Sequence, residues 1–424
     1  MIVSLLVITG IFAYLLIYHV HHERRDNGHF GDFPTFYQAA EFAREHRDIY
    51  TAGRADTDQM YVYPPLIAFA YMPLTYLSLP NAAVVMLFVT AAMLLAAGLL
   101  ASREAVARFG PYSIAAVVMV AGAVTILSEN ELRAVMTMLE TDALMLLLFT
   151  LAFCWLDRRP TAAGLALGFA FNIKYLSIVA LPYLILRRRW RASAATILGA
   201  VLFALLPALQ LGWHEDLRCL RVSMGGLLRW VGIAPEQSGS IVVHNISDGL
   251  SVSITSATAR VLGARGFTNP QVMLAAAGIG LVSLLIVAAM YRLNRLPFWL
   301  WPSAREQSRE PFAALVALEW AGLITVSLAF SPNTNARHIV LTVIVNAVGA
   351  ALVFFTWRGA NPVPAIVGLA LIFWGYIWPF AKPIRHAGFN HYVYGVPCWF
   401  LLIGYLLILW TGLRFVSRRQ MQLS

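Results

Sequence analysis

Apolar runs of membrane-spanning length alternate with short polar segments along almost the whole chain. A helical span takes about 20 apolar residues. Runs of that kind occupy 1–20, 82–102, 111–128, 139–156, 192–212, 270–291, 312–330, 338–357, 363–380 and 393–416. Two further runs are interrupted: 64–79 by Pro64, Pro65 and Pro73, and 161–186 by Asn172, Lys174 and Pro182. Irregular backbone inside a bilayer is tolerated where it is buried in protein or lines a cavity, so the two breaks mark places where a site can be built. The pattern predicts an all-α polytopic membrane protein with about 10–12 membrane segments. Met1 to Val20 lacks a positive leading region and a small-residue cleavage site, and reads as a retained first span.

Composition agrees. Of the 424 residues, 59% are hydrophobic and 12% charged, and the mean hydropathy is +0.69. A soluble domain carries about a quarter charged residues. The net charge of +10 comes from arginines clustered between apolar runs. They include Arg103 and Arg108, Arg158 and Arg159, Arg187, Arg188, Arg189 and Arg191, Arg292, Arg295, Arg305 and Arg309, Arg358, and Arg414, Arg418 and Arg419. No continuous basic stripe of the nucleic-acid-binding kind appears. Excess Arg and Lys holds loops in the cytoplasm. With every cluster placed there, both termini are cytoplasmic, provided that 64–79 and 161–186 each enter and leave on one side or cross as paired short helices. The segment 21–63, a short turn at 129–138, the long loop 213–269, the turn 331–337 and the segment 381–392 then lie outside. A protein arranged this way works on its non-cytoplasmic face. Cys154, Cys219 and Cys398 have no metal or disulfide pattern. No internal repeat of the transporter kind and no separate soluble domain is visible, so 1–424 reads as one membrane domain.

The candidate chemistry lies on that outer face. In the first external loop Asp32 stands among aromatics before Pro34, Phe36 and Tyr37. A carboxylate near apolar surface suits general-base work; an acidic residue before a first-turn proline also suits a helix cap. Tyr61 and Tyr63 precede Pro64-Pro65 and fit either substrate contact or an interfacial aromatic belt. Arg337 and His338 begin a helix after Ser331-Pro332-Asn333-Thr334-Asn335, which fits either an anion site, a cation beside exposed N–H groups, or an ordinary polar turn with Arg337 among lipid headgroups. Lys382 and Arg385 form a basic external turn, against the positive-inside trend. Lys174 and Asp142, the latter near Glu140, are ionisable groups in apolar runs, costly unless paired or wet. The large loop holds His244-Asn245-Ile246-Ser247-Asp248 and then a helical stretch, Ser253 to Leu262, with Arg260. No His/Asp/Glu group has zinc spacing, and no phosphate-binding glycine loop appears.

In order and context these residues resemble glycosyltransferase family 87, the group that includes polyprenyl-phosphate-mannose-dependent α-mannosyltransferases. Asp32 just after the first span precedes Phe36-Tyr37-x-Ala39-Ala40. Tyr63-Pro64-Pro65 leads a short helix ending in Pro73-Leu74. Lys174 in a broken span precedes Pro182 and Arg188-Arg189-Trp190-Arg191. Asn245-x-Ser247 precedes a helix with Arg260, and Ser331-Pro332 leads to His338. The chain departs from the family at Met138-Leu139-Glu140-Thr141-Asp142-Ala143, where a Gly-Gln-x-Asn element is common. It departs again in the late turn, which usually carries a tryptophan and paired histidines.

The resemblance implies a GT-C helical bundle with its active site on the external face. It implies transfer of a hexose, mannose in first place, from a polyprenyl-phosphate donor to an external lipid or glycan acceptor, with inversion and no cofactor or metal. Under it Asp32 is the base. Arg337, His338, Lys382, Arg385 and Lys174 serve the donor phosphate. Tyr37, Tyr61, Tyr63, Asn245 and Ser247 serve substrate binding. The competing reading is a transporter or flippase of a lipid-linked or anionic solute, which places its site near the bilayer midplane; a second is an oligosaccharide polymerase or ligase.

Overall fold

The computed structural model describes residues 1–25, 31–54, 59–230, 246–298, 312–357, 361–376 and 393–423. Its helices are α1 (Ile2–Arg25), α2 (Phe33–Arg44), α3 (Pro65–Tyr71), α4 (Leu79–Phe109), α5 (Ile114–Leu127), α6 (Glu129–Met138), α7 (Asp142–Trp155), α8 (Pro160–Phe171) and α9 (Ala180–Leu186). They continue as α10 (Trp190–Leu205), α11 (Ala208–Leu211), α12 (Trp213–Trp230), α13 (Ile254–Gly263), α14 (Asn269–Leu293), α15 (Phe312–Ala329), α16 (Thr342–Thr356), α17 (Val363–Tyr376) and α18 (Val396–Leu423). A two-residue ribbon, Gly53–Arg54 against Gln59–Met60, is the strand pairing among the described residues. The protein is therefore an all-α polytopic membrane protein. Seven helices are long and apolar enough to span a bilayer, or eight with the bent α5–α6 pair counted as one, and four shorter apolar helices join them.

Both interrupted runs turn back. From Arg159 the chain climbs α8, breaks at Lys174 and returns through the 3-10 turn Tyr175–Val179 and α9 to Arg187. Helix α8 can lie hard against α10 because a side chain at Gly164 or Gly168 would collide with the backbone of Ala192 or Ala200. Small residues at a four-residue spacing are the usual means of close approach between membrane helices. The run 64–79 is α3 plus the 3-10 turn Met72–Tyr76, and its far end returns to α2, where the Tyr37 hydroxyl donates to the Leu77 carbonyl at 2.8 Å.

The 129–138 segment is not the turn expected from its polar residues. It is helix α6, bent by 66° from α5. Leu132, Val135, Met136 and Leu139 recur at helical spacing and are all buried, so the segment gains a packed face that outweighs its polar start.

Ionic groups sit at opposite ends of α7. At one end Asp157 is ion-paired with Arg108 at 2.9 Å and with Arg189 at 2.7 Å, while Arg187 pairs with Glu319 at 2.6 Å. At the other end Asp142 meets Lys174. The two aspartates are separated by about 22 Å at 1.5 Å per residue. That is shorter than the ~30 Å hydrocarbon core, so at least one of the two clusters is recessed toward the bilayer interior.

Candidate active site

The site is assembled from four breaks in regular structure. The first precedes α2. Gly31 has φ +56, and its missing side chain lets the chain pass against the Met138 backbone; the Asp32 N–H then donates to the Met138 carbonyl at 3.0 Å. Asp32 occupies the N-cap position of α2, but its side chain makes no cap hydrogen bond. Phe33, Phe36, Ala39, Ala40 and Ala43 bury one face of that helix and fix Asp32 at its head. The carboxylate is left to turn elsewhere.

It turns to Arg337. Asp32 Oδ2 accepts from Arg337 Nη1 at 2.5 Å, across 305 positions of sequence. The same Nη1 contacts Glu140 Oε1. Glu140 follows Leu139, whose left-handed backbone, φ 49, ends α6. That conformation ordinarily favours glycine; here it turns Glu140 and Asp142 into the protein, each with 1% of its surface exposed. Lys174 Nζ donates to both oxygens of Asp142, at 2.8 and 2.9 Å, and lies 3.6 Å from Glu140. His338 Nδ1 accepts the Asn335 N–H at 3.3 Å, so the proton of a neutral ring sits on Nε2, 4.0 Å from Asp142. The Tyr63 ring is 5.6 Å from Lys174 Nζ and packs on Phe36 with centroids 4.9 Å apart.

Burial works to raise the Asp32 carboxyl. Hydrogen bonding to Glu140 and the positive charge of Arg337 overcome it and hold Asp32 below the usual carboxylate range. Asp32 is 20% exposed and Arg337 23%, so this pair is the accessible edge of an otherwise closed cluster.

The segment carrying Arg337 is braced by the large loop. Val252 N–H donates to Thr334 O at 2.7 Å, Thr334 N–H donates to Ser251 Oγ at 3.0 Å, and Ser256 Oγ donates to Pro332 O at 2.7 Å. Arg260 ties Ser251 O at 3.0 Å and Val393 O at 2.7 Å, so its charge is spent on holding loops. Ser247 lies in the turn just before this brace.

Of the residues expected from sequence, Asp32, Lys174, Arg337, His338 and Tyr63 are brought together. Tyr37 and Tyr61 are not. The Tyr37 hydroxyl is spent on Leu77. Tyr61 is 1% exposed and donates to Pro64 O at 2.8 Å, which makes it a packing residue. Lys382, Arg385 and Asn245 lie outside the described residues. Glu140 was not singled out for a role; its signal was a second carboxyl two residues from Asp142 in an apolar run. Among the described residues, no group of three or more His, Cys, Asp or Glu could hold a metal ion.

The architecture defines a multi-pass membrane protein with a charged, largely buried site built from helix breaks. The family model for Glycosyltransferase family 87 matches residues 61–332, well over half of the chain. The protein belongs to that family and is a membrane glycosyltransferase. The match covers Tyr63, Glu140, Asp142 and Lys174, while Asp32, Arg337 and His338 flank it. No curated protein and no solved structure matches.

Proposed function

We propose that the protein transfers a hexose, mannose being the first to test, from a polyprenyl-phosphate donor to a lipid or glycan acceptor on the non-cytoplasmic face, through a GT-C-type bundle with both termini in the cytoplasm. The observation that carries this is the contact between Asp32 and Arg337 at the open edge of the cluster. One inverting displacement needs a base for the acceptor and a cation for the departing phosphate, and these two side chains supply both from adjacent positions. As the acceptor oxygen bonds to the anomeric carbon, Asp32 takes its proton. The bond from that carbon to the phosphate oxygen breaks, and the phosphate leaves with the electron pair. Negative charge then grows beside Arg337, where a fixed positive group lowers the barrier. Lys174 is committed to Asp142 and Glu140, so it serves the phosphate at a distance, through the field. His338 presents Nε2–H to the same region.

Position supports the lipid-linked donor. The arginine-rich end of α7 is placed inside by the positive-inside rule, which leaves the Asp32 cluster outside. A site at the ends of apolar helices suits a substrate whose chain lies in the bilayer. The test is transfer by purified protein from synthetic polyprenyl-phosphate hexoses, with mass analysis of the product. Asp32→Asn is expected to lower transfer at least ~10³-fold with an unchanged elution profile in detergent. Near-normal transfer by that variant would remove Asp32 from the base role.

A further inference from the structure

Glu140 touches both cations of the cluster. Its Oε1 meets Arg337 Nη1, and its Oε2 lies 3.6 Å from Lys174 Nζ. Asp32 meets that same Arg337 nitrogen, so the Asp32 and Glu140 carboxyls converge on one N–H group. Asp142 has Lys174 on both oxygens.

The charges do not balance. Three carboxyls, Asp32, Glu140 and Asp142, face two cations, Lys174 and Arg337. With all five ionised and His338 neutral, one negative charge is left over. The remaining groups that face the cluster, His338 from the 336–341 turn, Tyr63 ahead of α3 and Tyr71 at the end of α3, add no cation while His338 stays neutral. An uncompensated charge in so closed a place is expensive, and two carboxyls that converge on one N–H group do not readily both ionise. Neither Glu140 oxygen receives a well-directed hydrogen bond among the described residues. A proton on Glu140, donated to Asp32, answers both the charge count and the missing bond.

We propose that Asp32 and Glu140 share one proton, with Glu140 as the neutral member that positions and ionises Asp32, so that transfer requires a protonated Glu140 as well as an ionised Asp32. The kinetic consequence rests on the glycosyl-transfer reading above; the shared proton does not. Glu140 is closed to substrate and acts through Asp32 and Arg337, as a positioning residue. During transfer Asp32 receives the acceptor proton while Glu140 keeps its own. The lowered affinity of Asp32 for protons, which includes a contribution from hydrogen bonding to Glu140, agrees with this arrangement.

Infrared spectroscopy of the purified protein at pH 7 tests the proton directly. The wild-type minus Glu140→Gln difference is expected to show the carbonyl stretch of a protonated carboxylic acid, shifted in heavy water, and Asp32→Asn is expected to displace that band. A difference containing carboxylate bands alone overturns the proposal, whether or not a donor has been found. Where a donor is in hand, the wild-type pH–rate profile is expected to be bell-shaped. Glu140→Gln keeps a donor group beside Asp32 and cannot ionise, so its alkaline limb is expected to move up by about one pH unit or more. An unmoved alkaline limb overturns the proposal too. Absence of transfer from every polyprenyl-phosphate hexose counts against the glycosyl-transfer reading of the donor and leaves the infrared result to decide the proton.

Discussion

Replacing Lys174 with methionine is the most direct test of how the cluster is held. The Lys174 side chain is 9% exposed, and the substitution keeps its apolar stem and removes the ammonium. Asp142 then loses both of its short contacts, at 2.8 and 2.9 Å, and Glu140 loses its neighbour at 3.6 Å. Breaking a buried pair from one side costs about 3–5 kcal/mol. A ceiling follows independently. The stranded carboxylate can take a proton instead, and neutralising a carboxyl of ordinary pKa, about 3.9, at pH 7 costs about 1.36 kcal/mol per pH unit, or about 4 kcal/mol. The two figures agree, and the second fixes the pH dependence. A carboxyl whose folded form prefers the proton costs nothing below its unfolded pKa and progressively more above it. The loss in Lys174→Met therefore shrinks by about 1.36 kcal/mol for each pH unit lowered from 7 toward 4. The assay is an unfolding scan in detergent at fixed heating rate, because membrane proteins of this size commonly unfold irreversibly. The apparent melting temperature is expected to fall by roughly 5–10 °C at pH 7 and clearly less at pH 5. Adding Asp142→Asn, which removes the stranded charge, should restore more than half of the loss. A Lys174→Met variant that melts within about 1 °C of wild type at both pH values, or a double variant no better than the single, would refute the buried pairing.

Arg337→Ala removes one of the contacts that keep Asp32 ionised. The acid limb of the pH–rate profile should move upward, and donor KM should rise about 10-fold or more, as expected for a lost charge-assisted contact; unchanged donor dependence would exclude Arg337 as a phosphate ligand. Gly31→Ala places a methyl group against the Met138 Cα, 2.5 Å away, at a left-handed φ. Strain of about 1–3 kcal/mol should displace Asp32 and cut transfer at least 10-fold, with melting lowered by only a few degrees; a transfer rate equal to wild type would show that Asp32 does not depend on this approach. Asp216 lies outside the spans, is buried, and has no hydrogen-bond partner on either oxygen among the described residues. Burial pushes its carboxyl up to about 6, so its cost is absent below pH 4 and complete above pH 6. Asp216→Asn should raise the melting temperature at pH 7.5 and do little at pH 4, and equal effects at both pH values would contradict burial as the cause.

What could be read from sequence followed from cost. Every long span was visible because twenty apolar residues in a row have few explanations. Lys174 stood out because an ammonium in an apolar run demands a partner, and the structure supplies Asp142 and Glu140. Asp32 was visible by its place before a proline-led helix, yet its two readings could not be separated there. A cap and a base need the same residue at the same position, and only the contact with Arg337 shows that the side chain does not cap. Helix α6 is not legible because Ser128, Glu129, Asn130 and Glu131 interrupt the apolar run with polar residues, two of which favour turns, while the face that overrules them is defined by what Leu132, Val135 and Met136 pack against. Glu140 was missed for a related reason. One sequence marks residues that are expensive to bury, but it does not say which cation neutralises which carboxyl. That assignment depends on Gly31 passing Met138, on Leu139 turning left-handed, and on Ser251 and Ser256 bracing the Arg337 segment from a loop some eighty residues earlier. Two of these are backbone events, and the third is a set of hydrogen bonds that any serine-rich loop could make. The charge imbalance at the centre of the site therefore becomes countable only once the pairs are known, and it is that imbalance, not any motif, that singles out Glu140.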